Sequence, residues 1–227
     1  LGHTFKIISK PQKCYSAWQT MAALNARQAL DEHVSKKKNK HKSLETLSSL
    51  LKIKTSLTHI DCFDVSHTQG EATFGACVVF KSDGDSKKDY RLFTINGITP
   101  GDDYAAIEQT VLRRYRALKK TQQSMPGLIM IDGGKGQLTA AKRGLSALNI
   151  NNIPLLGIAK GPTRKAGYER LFFLEKSLLE IDCKDPVVLQ LIYHIRNESH
   201  RFAIKAHRKK RAKSRQHSPL ESIQGIG

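Results

Sequence analysis

The sequence predicts a mixed α/β domain, one central sheet with helices on its faces, preceded by a helical lead-in. Three observations carry this. Between His59 and Ile95, three strand-like stretches follow one another with only short polar breaks. After Asp103, helical periodicity alternates with short, continuously apolar runs, which suit strands buried on both faces. A long amphipathic stretch, about Pro186–Ala206, then closes the series. The order βββαβαβα pairs its first strands locally and reaches the later ones through helices, which makes the sheet mixed.

The elements follow in order. Ser16 to Val34 carries Ala, Leu, Met and Gln at helical spacing and reads as an amphipathic helix. Ser35–Ser43 holds five lysines, and a run of like charges reads as a solvated linker. Leu44–Leu51 is a short helix leading into the sheet. Strand one is about His59–Ser66, strand two about Ala72–Phe80 and a third about Tyr90–Ile95, so the three form a meander. Thr99-Pro100-Gly101-Asp102-Asp103 breaks the strand pattern and opens a helix through about Lys120. Asp102 or Asp103 suits its N-cap, because carboxylates accept from the free amides of a first turn. Gly127–Asp132 is a short apolar strand that ends in a carboxylate. A helix follows at about Gly136–Leu148, then a buried strand at Ile153–Ala159. Leu171–Leu174 adds a further strand of a local hairpin, before the last helix. Three regions result: a helical and basic lead-in over 1–58, the α/β domain over 59–215, and a separate terminal segment over 216–227.

Composition narrows the partners. The 227 residues carry 38 Lys and Arg against 20 Asp and Glu, a net charge of +18, which favours polyanions and nucleic acid above all. Aromatic residues make up only 7 %, so base stacking is not the main mode of contact. No run of eighteen apolar residues exists, and no signal-peptide pattern opens the chain, so membrane insertion is not expected. Cys14, Cys62, Cys77 and Cys183 are scattered without a C-x-x-C pair and read as reduced thiols of a cytoplasmic protein. A first residue of Leu and a Gly-Ile-Gly ending suggest a piece of a longer protein.

The chemistry concentrates on a few polar residues in apolar surroundings. In strand one, Asp61, Phe63 and Val65 share one face, and Cys62, Asp64 and Ser66 the other. One of the two aspartates can face solvent; the other belongs in the core or at its rim, where a metal ion is a common compensation for a buried carboxylate. If strand one neighbours the Leu128–Ile131 strand, Asp64 and Asp132 meet at one end of the sheet, where open α/β folds place their ligands. Two carboxylates on so basic a chain suit a hard divalent cation such as Mg²⁺ or Mn²⁺. On the last helix, Val188, Leu191, Ile192, Ile195 and Phe202 form the apolar stripe, and Tyr193, Arg196, His200 and His207 fall on the polar side. Arg196, Arg201 and the run Arg208-Lys209-Lys210-Arg211 make a stripe that attracts phosphate. Asp132-Gly133-Gly134-Lys135-Gly136-Gln137 is not a nucleotide-binding P-loop, since that motif needs G-x-x-x-x-G-K-[ST]. It reads as a tight turn before a helix, from which Lys135 can approach a phosphate. A second basic turn, Ala159 to Gly167, offers Lys160, Arg164 and Lys165.

These stretches carry a family likeness. Phe63-Asp64-Val65-Ser66-His67-Thr68-Gln69-Gly70, Gly101-Asp102-Asp103-Tyr104-Ala105, Leu128 to Gln137, Ala159 to Lys165 and Glu198-Ser199-His200-Arg201-Phe202-Ala203 resemble, in order, the C-terminal half of UvrC, the nuclease subunit of the bacterial excinuclease. The resemblance implies a ribonuclease H-like fold and an endonuclease that cuts DNA on the 5′ side of a lesion, in nucleotide excision repair and the SOS response. It maps the catalytic residues onto Asp64, Asp132 and His200, with Asp103 also implicated. A histidine here replaces one carboxylate of the usual ribonuclease H site. It also implies double-stranded damaged DNA and the UvrB–DNA pre-incision complex as partners, and it makes Ser218–Gly227 the start of a helix–hairpin–helix module. Two rivals stand beside it: a non-catalytic DNA-binding module, and an RNA-acting ribonuclease H-like nuclease.

Overall fold

The computed structural model describes residues 15–66, 73–159 and 169–215, with the side chains of residues 32–33, 36–38 and 206–215 left out. The basic turn carrying Lys160, Arg164 and Lys165 and the terminal segment 216–227 therefore lie outside the described residues. Among the described residues, eight strands form one mixed sheet. Strand β1 (His59–Ser66) pairs antiparallel with β2 (Thr73–Lys81) and parallel with β5 (Leu128–Ile131). Strand β5 pairs parallel with β6 (Leu155–Ala159), and β6 leads outward to the antiparallel hairpin β7 (Arg170–Leu174) and β8 (Leu178–Ile181). On the other side, the outer edge of β2 is shared by the two-residue β3 (Gly84–Asp85) and by β4 (Arg91–Ile95). The expected meander is present, with β3 as an extra rung inside its polar turn.

Helices cover both faces. Helix α2 (Asp103–Lys120) and α3 (Lys135–Ser146) lie on the face that receives Phe63 and Gly157. Helix α4 (Pro186–Arg215) lies across β1 and β2 on the opposite face and is joined there by the C-terminal part of α1 (Ser16–Leu50). The core fits this division. β1, β2, β5 and β6 are buried almost throughout, as strands covered on both sides must be. Helix α2 starts where expected: the Asp102 carboxylate caps it, accepting from the Ala105 amide at 3.0 Å. The α2–α3 contact is close because Gly144 has no side chain; a Cβ there would stand 2.8 Å from the Glu108 carbonyl oxygen.

Two expectations are corrected. The lysine run is not a linker: residues 16–50 form a single helix of 35 residues. No Gly or Pro interrupts that stretch, lysine is a good helix former, and Leu44, Leu47 and Leu51 fix the far end in the core. Residues 16–31, by contrast, are exposed throughout, apolar residues included. The second correction is Asp61. Neither aspartate of β1 faces solvent, for Asp61 is 0 % and Asp64 6 % exposed. Asp61 points under the sheet toward α2 and accepts from Arg114 Nε and Tyr115 OH, each at 3.2 Å. Buried His59 stands 3.9 Å from its other oxygen, and burial pulls that imidazole below its ordinary range. Asp61 is thus a structural carboxylate on the face away from Asp64: a buried ion pair holds its Oδ2, while its buried Oδ1 has no hydrogen-bond partner among the described residues.

Candidate metal centre and active site

The site is built by strand register. Phe63 lies opposite Ile131 across the parallel β1–β5 pair, and the Asp132 amide donates to the Phe63 carbonyl at 2.9 Å. The next residue on each strand is an aspartate. Asp64 and Asp132 therefore stand side by side at the carboxyl end of the two strands, on the face that α4 covers. The chain leaves β5 through Gly133 and Gly134 into α3, where Gln137 accepts from the Gly134 amide at 3.0 Å. A Cβ on Gly133 would fall within 2.9 Å of the Gln137 side chain, so this turn needs its glycine.

Helix α4 supplies the rest. Val188, Leu191, Ile192, Ile195 and Ala203 are buried against the sheet. This seating turns Arg196 and His200, one helical turn apart, toward the strand ends. His200 Nδ1 lies 3.1 Å from Asp64 Oδ2, although the His200 side chain is still 60 % exposed. Arg196 Nε donates to Asp132 Oδ1 at 3.1 Å, and its Nη1 to Glu169 Oε1 at 3.1 Å. Each carboxylate is thus gripped by one residue of the same helix.

Burial and the neighbouring Asp132 push the Asp64 carboxyl up to about 6, against an ordinary 3.8, and the His200 contact offsets only part of this. Burial and a second carboxylate both disfavour the ionised form, and the charge of a divalent ion held between the two would favour it. One ligand atom from each of Asp64, Asp132 and His200 lies within 4.8 Å of the other two. Two carboxylate oxygens and an imidazole nitrogen form a donor set that a divalent ion such as Mg²⁺ or Mn²⁺ accepts, with water or phosphate oxygens completing its shell. Cys62 lies below on the same face, but burial pushes its thiol well above the ordinary range, so it stays protonated and inert.

The other residues singled out in the sequence are placed less centrally. Asp103 is the first residue of α2, half-buried, next to the capping Asp102, and is not one of the three clustered ligands. Lys135 is exposed in the first turn of α3, its ammonium 5.0 Å from the centre of the Phe172 ring. Arg201 is held by Glu198 through two bonds of 2.7 Å. Arg208, Lys209, Lys210 and Arg211 lie in the last turns of α4. Sequence reasoning missed Glu169 altogether. It directly precedes β7 and, with 8 % of its side chain exposed, is as buried as Asp64. Its one sequence signal is an acidic residue at the junction between a basic turn and an apolar strand.

The chain has matches among known proteins. Residues 48–204 match the family model described as the UvrC RNAse H endonuclease domain. The chain is 46 % identical over 226 residues to the UvrABC system protein C of Legionella pneumophila (strain Paris). It is 45 % identical over 227 residues to that of Coxiella burnetii (strain RSA 493 / Nine Mile phase I). The whole chain is covered in both cases, but it spans only 36 % and 37 % of those relatives' lengths. Among solved structures, human ENDOV is 12 % identical with a TM-score of 0.44, over 70 % of this chain and 90 % of its own. Endonuclease V from Streptomyces avermitilis is 13 % identical with a TM-score of 0.42, over 74 % of this chain and 93 % of its own. The family match takes in the strand ends and the part of α4 that build the site, so the chain belongs to the UvrC RNAse H endonuclease domain family.

Proposed function

We propose that this chain is the part of an excision-repair nuclease that hydrolyses a DNA phosphodiester with the help of a divalent ion, Mg²⁺ or Mn²⁺, making the incision 5′ to a lesion. The observation that carries the reading is the convergence of Asp64, Asp132 and His200 within 4.8 Å at the end of two paired strands. The names of the relatives support the repair setting, and the +18 charge supports a nucleic-acid substrate. Double-stranded damaged DNA, presented by a UvrB–DNA pre-incision complex, is the proposed partner.

Asp64 and Asp132 would hold the ion, which when bound lowers the pKa of a water molecule and draws charge from the scissile phosphate. The remaining work falls to the chain. The sheet fixes the two carboxylates before any ligand arrives, so no reorganisation is needed at the moment of reaction. His200 completes the site as a third ligand or as a proton-transfer group. With Nδ1 donating to Asp64, its Nε2 carries the lone pair and can accept a proton from the attacking water. Asp103 is the weaker member of the proposed set and stands outside the cluster. Lys135, Arg201, the turn with Lys160, Arg164 and Lys165, and the run Arg208–Arg211 are the proposed contacts to the DNA backbone; Arg196, expected among them from the sequence, is instead engaged by Asp132 and Glu169. Products would be a 3′-hydroxyl and a 5′-phosphate.

The test is incision of lesion-bearing duplex DNA with the partner proteins supplied. EDTA should abolish it. Asp64→Ala and His200→Ala should bind DNA as before and cut at least about a hundredfold more slowly, the lower end of what an acid–base group contributes. Recovery of His200→Ala at raised Mn²⁺ would mark a ligand; no recovery would mark proton transfer. Normal cutting by both variants would leave a DNA-binding module without its own chemistry.

A further inference from the structure

Arg196 has the composition of a phosphate ligand and the surroundings of something else. Its side chain is 17 % exposed, and two arms of its guanidinium are already engaged, Nε by Asp132 and Nη1 by Glu169. Glu169 is held in turn from α4, where the Tyr193 hydroxyl donates to it. Tyr193, Arg196 and His200 recur at three- and four-residue steps on one side of α4, so a single helix carries this chain of contacts and the His200–Asp64 contact. A planar guanidinium clamped on two edges by carboxylates fixes the one it meets in a single orientation.

The charges raise a second point. A lone arginine bonded to Asp132 would stand a few ångströms from any divalent ion on that carboxylate and would repel it. Glu169, itself buried, cancels that charge. We infer that Glu169 and Arg196 form a charge-balanced positioning pair, in which Arg196 holds the Asp132 carboxylate in its reactive orientation and Glu169 both holds Arg196 in place and neutralises its charge beside the metal. The inference rests on the metal-dependent reading above. It assigns Glu169 to the site and gives Arg196 a role other than DNA contact. Neither is a catalytic residue, since both act through Asp132.

The pair predicts opposite responses from its two halves, which a merely structural role would not give. Mn²⁺ binding to the 227-residue chain is followed by the loss of the free-ion signal in electron paramagnetic resonance, with thermal melts confirming the fold of each variant. Glu169→Gln leaves Arg196 unbalanced and should weaken Mn²⁺ binding at least about tenfold, as loss of a group supporting a ligand commonly does. Arg196→Gln leaves Glu169 as an extra carboxylate and should bind Mn²⁺ at least as tightly as the wild type. The same variant should incise about tenfold more slowly or worse, because Asp132 is no longer held, with DNA affinity and its salt dependence unchanged. The double variant buries no unbalanced charge and should return to within about threefold of wild-type Mn²⁺ affinity. Should Glu169→Gln fail to fold, Arg196→Gln and the double variant decide. Equal weakening by both single variants, or unchanged binding by Glu169→Gln, overturns the inference. A flattened salt slope for Arg196→Gln would make Arg196 a phosphate contact and overturn it as well. No Mn²⁺ binding by the wild type would sink the metal-dependent reading itself, and the pair with it.

Discussion

Asp64→Asn should make the metal-free protein more stable while abolishing its chemistry. Asp64 is 6 % exposed and stands beside a second carboxylate, which with burial raises its carboxyl to about 6 from 3.8. In the unfolded chain the group ionises near its ordinary value. Between about pH 4 and pH 6 the folded state therefore binds more protons than the unfolded one, and stability falls as pH rises through that window. Each pH unit of difference is worth about 1.4 kcal/mol, so above pH 7 the ionised Asp64 costs the fold at most about 3 kcal/mol. Asparagine removes the charge and keeps an acceptor for His200. For a domain of this size, about 3 kcal/mol corresponds to a rise in Tm of roughly 6–12 °C. The assay is thermal unfolding of both proteins in EDTA at pH 4 and pH 7.5. The gap should be full at pH 7.5 and close to nothing at pH 4, and saturating Mn²⁺ should narrow it by stabilising the wild type alone. A variant no more stable than the wild type at pH 7.5, or a gap equal at both pH values, would refute the reasoning.

Other parts of the molecule give their own expectations. Arg114→Ala leaves Asp61 charged and buried without its guanidinium and should cost about 3–5 kcal/mol in denaturant unfolding. Gly144→Ala drives a methyl toward the Glu108 carbonyl at 2.8 Å, a backbone atom that cannot swing aside, and should cost about 1–3 kcal/mol in the same experiment. Neutralising Arg208, Lys209, Lys210 and Arg211 should weaken DNA binding regardless of sequence and flatten its salt slope by about 0.9 per lost phosphate contact. An unchanged slope would make the end of α4 a solvated helix.

How far the sequence could be read depended on the range of the deciding interaction. β1 was legible to the residue, His59–Ser66, because apolar density and the short polar break that follows it are local signals. The pairing of Asp64 with Asp132 was legible because each lies near the carboxyl end of an apolar run, and such carboxylates converge once the strands are neighbours. The Asp102 cap was legible from its own turn. The lysine run was misread for a physical reason. Repulsion among Lys36, Lys37, Lys38, Lys40 and Lys42 is the local term, but the helix is decided by unbroken helix formers and by Leu44, Leu47 and Leu51 locking into the core beyond them. Asp61 was open from β1 alone, because its partners Arg114 and Tyr115 lie more than fifty residues on, in α2. Glu169 and the inward face of Arg196 were hidden in the same way. On a helical wheel Arg196 is simply polar, and only the packing of α4 across the strand ends turns it toward Asp132.

The proposed chemistry turns on whether Asp64 and Asp132 share one divalent ion beside His200. A crystal of this chain soaked in millimolar Mn²⁺, measured at the manganese absorption edge, tests it most directly. One strong anomalous peak is expected, bonded to Asp64 and Asp132 at the roughly 2.0–2.2 Å usual for carboxylate oxygens on a small divalent ion, with His200 at or beside the coordination shell. A well-ordered site with no peak between the two carboxylates, or a peak held elsewhere while Asp64 and Asp132 stay empty, would contradict it.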